Sequence, residues 1–309
     1  MKFFKYLLSA LVLSFSSKGF AQQESQYSQY MLNPLLFNPA YAGSREIISI
    51  SALHRAQWLG IDGAPSTQNL SIHAPVWRRV GLGMFIYNDG IGNGTVQMTG
   101  FKAVFSYTLP LDKSMNTKLA FGLDVGGSLN QIDFSKLKVS GSENSTTDSR
   151  FMPNFGVGIF LRNPYYYVGF SHPNILENNI INDNNRDIEY KRVRTWLGTA
   201  GIVLQPFLDW KFKPATLVKI TKGAPVQVDI SFSTLFIEKI EMGISYRLGS
   251  ATSALMGYHF SQRLYGGLAY DRELTDLGGQ TFRGQSFEFL IRYEFEDRKC
   301  KCSPKPRFY

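Results

Sequence analysis

From Glu46 onward, the strongest constraint on the fold is a side-chain alternation of period two. The stretch "QSFEFLIRYEF" sets Phe287, Phe289, Ile291, Tyr293 and Phe295 on one face, and Glu288, Leu290, Arg292 and Glu294 on the other. "PVQVDISFS" opposes Val226, Val228, Ile230 and Phe232 to Gln227, Asp229, Ser231 and Ser233. "KIEMGISYRL" opposes Ile240, Met242, Ile244, Tyr246 and Leu248 to Glu241, Gly243, Ser245 and Arg247. Successive side chains of a strand point to opposite faces, so each stretch predicts a strand with one apolar and one polar face.

Weaker alternation in "STQNLSIHAPV", "VGLGMFIYN", "TKLAFGLDVGG", "NFGVGIFL", "KFKPATLVKIT" and "ALMGYHF" brings the total to about fourteen segments of about ten residues, the length that crosses a bilayer at ordinary strand tilt. They begin near residues 46, 66, 80, 95, 117, 153, 165, 191, 210, 225, 239, 252, 263 and 285. An even number places both termini on one side. Most connections at that side are short, such as "PVWRR", "NPY" and "SQR". The other side carries "QIDFSKLKVSGSENSTTDSRF", "PNILENNIINDNNRDIEY" and "ELTDLGGQTFRG", although "TKGA" and "GSA" are short there too. This asymmetry is that of an outer-membrane barrel with short periplasmic turns and longer outer loops.

A soluble β-sandwich would show the same alternation, with the apolar face inside. Export with almost no cysteine, the loop asymmetry and a last strand ending in aromatics favour the membrane barrel. Aromatics make up 14% of the chain, and Trp58, Trp77, Trp196, Trp210 and Tyr165 to Tyr167 fall near strand ends, as interfacial girdles require.

The N-terminus, "MKFFKYLLSALVLSFSSKGFAQ", places Lys2 and Lys5 before an apolar run and small residues around Phe20, the order of a secretory signal cleaved after Ala21. Gln22 is not the cysteine of a lipoprotein. Removing residues 1–21 leaves 309 − 21 = 288 residues and takes away Lys2, Lys5 and Lys18, so the formal charge falls from +9 to +6. That diffuse charge on an exported chain does not point to nucleic acid. Beyond the signal, no apolar run is long enough for a transmembrane helix. Cys300 and Cys302, in "CKC", are too close to be bridged without strain and leave free thiols, pairing with another chain or a weak metal contact open.

Chemistry-bearing constellations are sparse. His54, His73, His172 and His259 show no close metal-ligand spacing, and "DNNRD" at 183–187 lacks the glycine and distal glutamate of a calcium loop. "GIGNGT" lies between strands with no helix to follow, so it is no phosphate loop. Ser71 and His73 share a strand face and, with Asp229, could be drawn as a hydrolase triad. Any serine-rich barrel offers such a trio, so the reading is of no enzyme, no cofactor and no metal. The polar strand faces are more informative. Lys118, Asp124, Lys211, Lys213, Lys219, Asp229, Glu241, Arg247, Glu288, Arg292 and Glu294 point into the lumen, which must therefore be wet or filled by a polar plug.

Ahead of the strands lies "QYSQYMLNPLLFNPAYAGSRE". Pro34 and Pro39 remove backbone donors and push Asn33 and Asn38 out of the helical region, so no regular element runs through it. Its aromatics argue against a disordered leader. The pattern "QYMxNPLxxNPAYAG", Gln29 to Gly43, with "HRAQWxGxxGAP" at His54 to Pro65, resembles the PorP/SprF family of outer-membrane proteins of the Bacteroidetes type IX secretion system. The signature residues are Gln29, Tyr30, Asn33, Pro34, Asn38, Pro39, Tyr41 and Gly43. The "CKC" tail departs from the pattern.

The resemblance implies a non-enzymatic role in type IX export or gliding motility: assisting secretion or surface attachment of a large adhesin through its C-terminal targeting domain. It also implies contact with other secretion or gliding components, including a peptidoglycan-linked periplasmic protein. A passive channel for small solutes is the alternative. The expected organisation is a signal at 1–21, an N-terminal plug or periplasmic segment at 22–45, a barrel at 46–296 in outer-membrane lipid, and a periplasmic tail at 297–309. Residues 26–44 are expected to fold under or into the periplasmic mouth, with Asn33 and Asn38 bonding backbone, and with Tyr30, Leu36, Phe37 and Tyr41 against the inner wall.

Overall fold

The computed structural model describes residues 26–113, 116–136, 147–177, 179–182, 189–191, 194–274 and 284–295. The leader, the "CKC" tail and the 183–187 run lie outside the described residues. The strands are β1 (Ser49–Ala56), β2 (Ser66–Pro75), β3 (Val80–Ile91), β4 (Val96–Pro110), β5 (Lys118–Asp133), β6 (Thr147–Asn163), β7 (Tyr166–His172), β8 (Asn179–Asn182) and β9 (Glu189–Lys191). They continue with β10 (Thr195–Ile202), β11 (Leu204–Phe207), β12 (Trp210–Thr221), β13 (Gln227–Phe236), β14 (Ile240–Arg247), β15 (Ala251–His259), β16 (Leu264–Glu273) and β17 (Gln285–Glu294).

Fourteen of these form a closed antiparallel barrel, with β11 continuing β10 along β12. The seam is β1 against β17, where Ser49 faces Glu294 and Ala56 faces Phe287. The ring is completed by β10, which pairs with both β7 and β12. Closure leaves no unpaired edge for the apolar phase, which a sandwich would not achieve.

Exposure decides between barrel and sandwich. Along β17 the aromatic face is outside, with Phe289 47% exposed, while Glu288 on the opposite face is fully buried. Ile230, Phe232, Met242 and Ile244 likewise face outward, and Asp229, Ser231, Glu241 and Ser245 face inward. An apolar exterior around a polar interior is stable only in lipid. Trp77 and Tyr165 are exposed at the end of the barrel that holds Ser49 and Glu294, and Trp196 at the other, consistent with two aromatic girdles. Trp58 is only partly exposed; its backbone N–H donates to Ser286 Oγ at 3.3 Å.

The Ser49/Glu294 end carries short turns, such as 164–165, 208–209 and 237–239, whereas the opposite end carries 173–194 and 274–284. Two differences from the sequence reading fall at that long-loop end. β6 starts at Thr147 rather than near 153, because it extends to pair Thr147 with Asp133 of a long β5. The polar loop after β7 contains a hairpin of its own, β8 with β9.

The chain before β1 takes the lumenal course, one of the two expected, but reaches farther than the periplasmic mouth. It does not stay at the mouth beside Ser49. It runs through the lumen, and Gln26 lies at the long-loop end against Gln227 and Arg247.

Candidate functional site

The site is the barrel interior together with residues 26–46. Pro34 and Pro39 each open a single 3-10 turn, Pro34–Leu36 and Pro39–Tyr41, where a missing N–H costs nothing. The residues before them stay out of the helical region, with φ −136° at both Asn33 and Asn38, and Asn38 is extended. The two asparagines then diverge. Asn38 Oδ1 accepts from Ala40 N at 3.0 Å, capping its turn, and Asn38 Nδ2 donates to Ile159 O at 2.9 Å. Asn33 makes no side-chain cap; its Nδ2 donates to Ser71 Oγ on β2 at 2.9 Å, so this wall hydroxyl replaces the expected backbone partner. Gly43, at φ +71°, lets the chain turn toward β1.

The segment bonds to the wall along its whole course. At the long-loop end Arg247 Nη1 donates to Gln26 Oε1 at 2.7 Å. Below it, the backbone N–H groups of Ser28 and Gln29 both donate to the Glu288 carboxylate at 2.9 Å. Tyr30 OH lies 2.9 Å from Ser231 Oγ, and Arg292 donates to Leu32 O at 3.2 Å. Ser171 donates to Phe37 O at 2.7 Å and Ser106 to Ala42 O at 2.6 Å. At the short-turn end Arg45 pairs with Glu294, and Glu46 with Lys118 and Arg162. Irregular backbone at membrane depth is tolerated only when enclosed and bonded in this way.

Packing closes the remaining space. Tyr41 meets His73 and Phe160 edge-on at centroid distances of 5.4 and 5.5 Å. Tyr30 and Tyr41 are buried, while Leu36 and Phe37 are partly buried. Close approach depends on inward-facing glycines: a Cβ at Gly122 would lie 2.0 Å from Ala40 N, and one at Gly81 2.2 Å from Ala42 O. A cleft of about 90 Å³ remains between Tyr27, Leu36 and Phe37 on the segment and Phe85, Tyr87, Met98 and Leu197 on the wall.

The inward charges are compensated locally, as burial demands. Arg247 Nε donates to Asp229 Oδ1 at 3.1 Å. Arg55, which the sequence reading did not single out, reaches Asp271 at 2.6 Å and Glu288 at 3.1 Å. Glu241 accepts from Tyr265 OH at 3.0 Å, and Arg292 stands over the Tyr265 ring and 3.4 Å from Glu294. The drawn Ser71, His73, Asp229 trio is otherwise engaged. Ser71 accepts from Asn33, His73 Nδ1 accepts from Gly43 N at 3.2 Å, and Asp229 is held by Arg247. A His73 ring nitrogen committed to Gly43 is not aimed at the Ser71 hydroxyl, and Asp229 does not orient it.

Arg45, Arg55, Asp271 and the wall glycines also went unread in the sequence. A trace of the glycines was present: in "VGLG", "FGLD" and "GVGIF" the smallest residue recurs at inward positions.

The model of the type IX secretion system membrane protein family PorP/SprF matches residues 19–293. The chain belongs to this family. It is accordingly a membrane protein of type IX secretion, and the closed barrel places it in the outer membrane. No curated protein matches it. Among solved structures it is similar to the CymD monoaromatic hydrocarbon channel, at 11% identity over 86% of this chain and 93% of that one, with a TM-score of 0.54. The Ralstonia pickettii toluene transporter TbuX is similar at 10% identity over 84% and 92%, with a TM-score of 0.51. Acinetobacter baumannii Omp33 follows at 8% identity over 81% and 98%, with a TM-score of 0.49. At such identities the likeness concerns the barrel fold alone.

Proposed function

We propose that this family member is a non-enzymatic outer-membrane partner for an exported adhesin, receiving the adhesin's C-terminal targeting domain at its outer face while residues 26–45 plug the lumen. The observation that carries this reading is the ladder of wall contacts from Gln26 to Glu46. A barrel whose interior is occupied by its own bonded segment serves a large exported chain better as a docking body than as a conduit. The long-loop end offers the β8–β9 hairpin for docking, and the short-turn end is left for periplasmic secretion or gliding components, such as a peptidoglycan-linked protein.

Capture of the tagged barrel from membranes, with identification of the bound chains, tests this: an adhesin C-terminal domain should copurify, and deletion of the barrel gene should detach that adhesin. A deletion strain that exports and displays every adhesin normally rejects the proposal. The charged lumen and the cleft beside Tyr27 support a second reading, a channel for small solutes. Planar-bilayer recording separates the two, because the plugged barrel should carry no steady current.

A further inference from the structure

We propose that the mature N-terminus of this protein is presented on the outer side of the membrane, so that the chain's N-terminal end belongs to the outer interaction surface and not to the periplasmic one. The direction of the lumenal segment carries this. Its contacts descend in order: Gln26 with Arg247, the last residue of β14, then Ser28 with Glu288, Tyr30 with Ser231, and finally Arg45 with Glu294, the last residue of β17. β14 starts at the short-turn end and β17 finishes there, so Gln26 and Arg45 lie at opposite mouths. Short turns mark the periplasmic mouth. Gln26 is therefore at the outer one.

Cleavage after Ala21, which the sequence predicts, would leave four residues ahead of Gln26, and four residues span at most about 14 Å when fully extended, too few to reach the other mouth. From Arg247 back to Ile240 at the other mouth, β14 covers about 23 Å along the strand, and about 18 Å along the axis at ordinary tilt. The return route is also occupied, since Ser28, Gln29 and Tyr30 are buried against the wall together with Arg55 and Glu288. A partner at the outer mouth thus meets the chain at Gln26 beside Tyr27, Leu197 and Lys219, whereas a periplasmic partner meets the short turns and Glu46 at the far end of the lumenal segment. This topology holds whether or not an adhesin is the outer partner.

Whole-cell cysteine labelling tests it, in the full-length protein carrying Cys300→Ser and Cys302→Ser. Glu24→Cys is compared with Ser250→Cys, in a long-loop-end turn, and Asp112→Cys, in a short-turn-end connection, using a membrane-impermeant maleimide; the intact mass of the purified protein fixes the cleavage site. Glu24→Cys should label on intact cells as fully as Ser250→Cys, while Asp112→Cys labels only after the outer membrane is permeabilised. Glu24→Cys labelling only with permeabilisation overturns the proposal. Labelling in neither state also overturns it, because the chain end is then enclosed in the lumen. An epitope inserted after Gln23 gives a second readout: antibody binding to intact cells is expected, and its absence alongside binding to permeabilised cells counts against an outer N-terminus.

Discussion

Arg45 is ion-paired with Glu294 where the lumenal segment passes into β1 and where the last strand ends, with both side chains almost wholly buried. One contact thus ties the lumenal segment to the β1–β17 seam. Removing one partner of a buried pair leaves an uncompensated charge and costs about 3–5 kcal/mol. Here Arg292, 3.4 Å from Glu294, takes up part of the loss. Arg45→Ala is expected to destabilise by about 3 kcal/mol, read as a lower urea midpoint for loss of the folded band on unheated gels. Glu294→Gln should cost more, because it strips Arg292 as well as Arg45 of their shared carboxylate. A single variant as stable as wild type would show that the seam does not depend on the pair.

The wall glycines make a sharper test of packing. A methyl at Gly122 meets backbone of the Pro39–Tyr41 turn, which cannot yield as a side-chain tip could, whereas Gly198 has open space around its Cβ position. Gly122→Ala should cost about 1–3 kcal/mol through overpacking. Gly198→Ala should stay within about 0.5 kcal/mol of wild type. Equal effects in the two variants, by equilibrium unfolding in detergent, would mean that Ala40 does not sit on β5 as described.

What could be read in advance follows from the range of each interaction. Period two is local, so the inward set Asp229, Glu241, Arg247, Glu288 and Arg292 was visible in the letters, as was the apolar face opposite. The start of β6 was not, because "TDSR" at 147–150 is polar throughout and is held in a strand by its pairing with β5. Nor could the sequence show that Asn38 caps its own turn while Asn33 reaches Ser71, since both precede proline. The direction of the lumenal segment was the least legible feature. It is set by pairs such as Ser28 with Glu288, 260 positions apart, and no local pattern encodes them.

Tyr30 separates hydrogen bonding from volume in the lumen. Tyr30→Phe keeps the ring and gives up the bond to Ser231, at about 1 kcal/mol. Tyr30→Ala also empties a buried ring site, at about 3–5 kcal/mol. Ser231→Ala should match Tyr30→Phe, and the double variant should cost little more than either, because the same bond is lost in each. Additive costs would mean that the two hydroxyls are not paired.

If residues 26–44 are the plug, deleting them exposes a lumen lined by Asp229, Arg247, Glu288 and Arg292 with their segment partners gone. Water and ions then enter, because buried charges without partners must be solvated. A refolded deletion variant should show steady current in planar bilayers where the full-length protein shows none. Asn38→Leu, which removes the cap on Ala40 and the bond to Ile159 but keeps the bulk, should loosen the segment and give intermittent openings. A deletion variant that folds, migrates as a compact barrel and still does not conduct would rule out this segment as what closes the lumen.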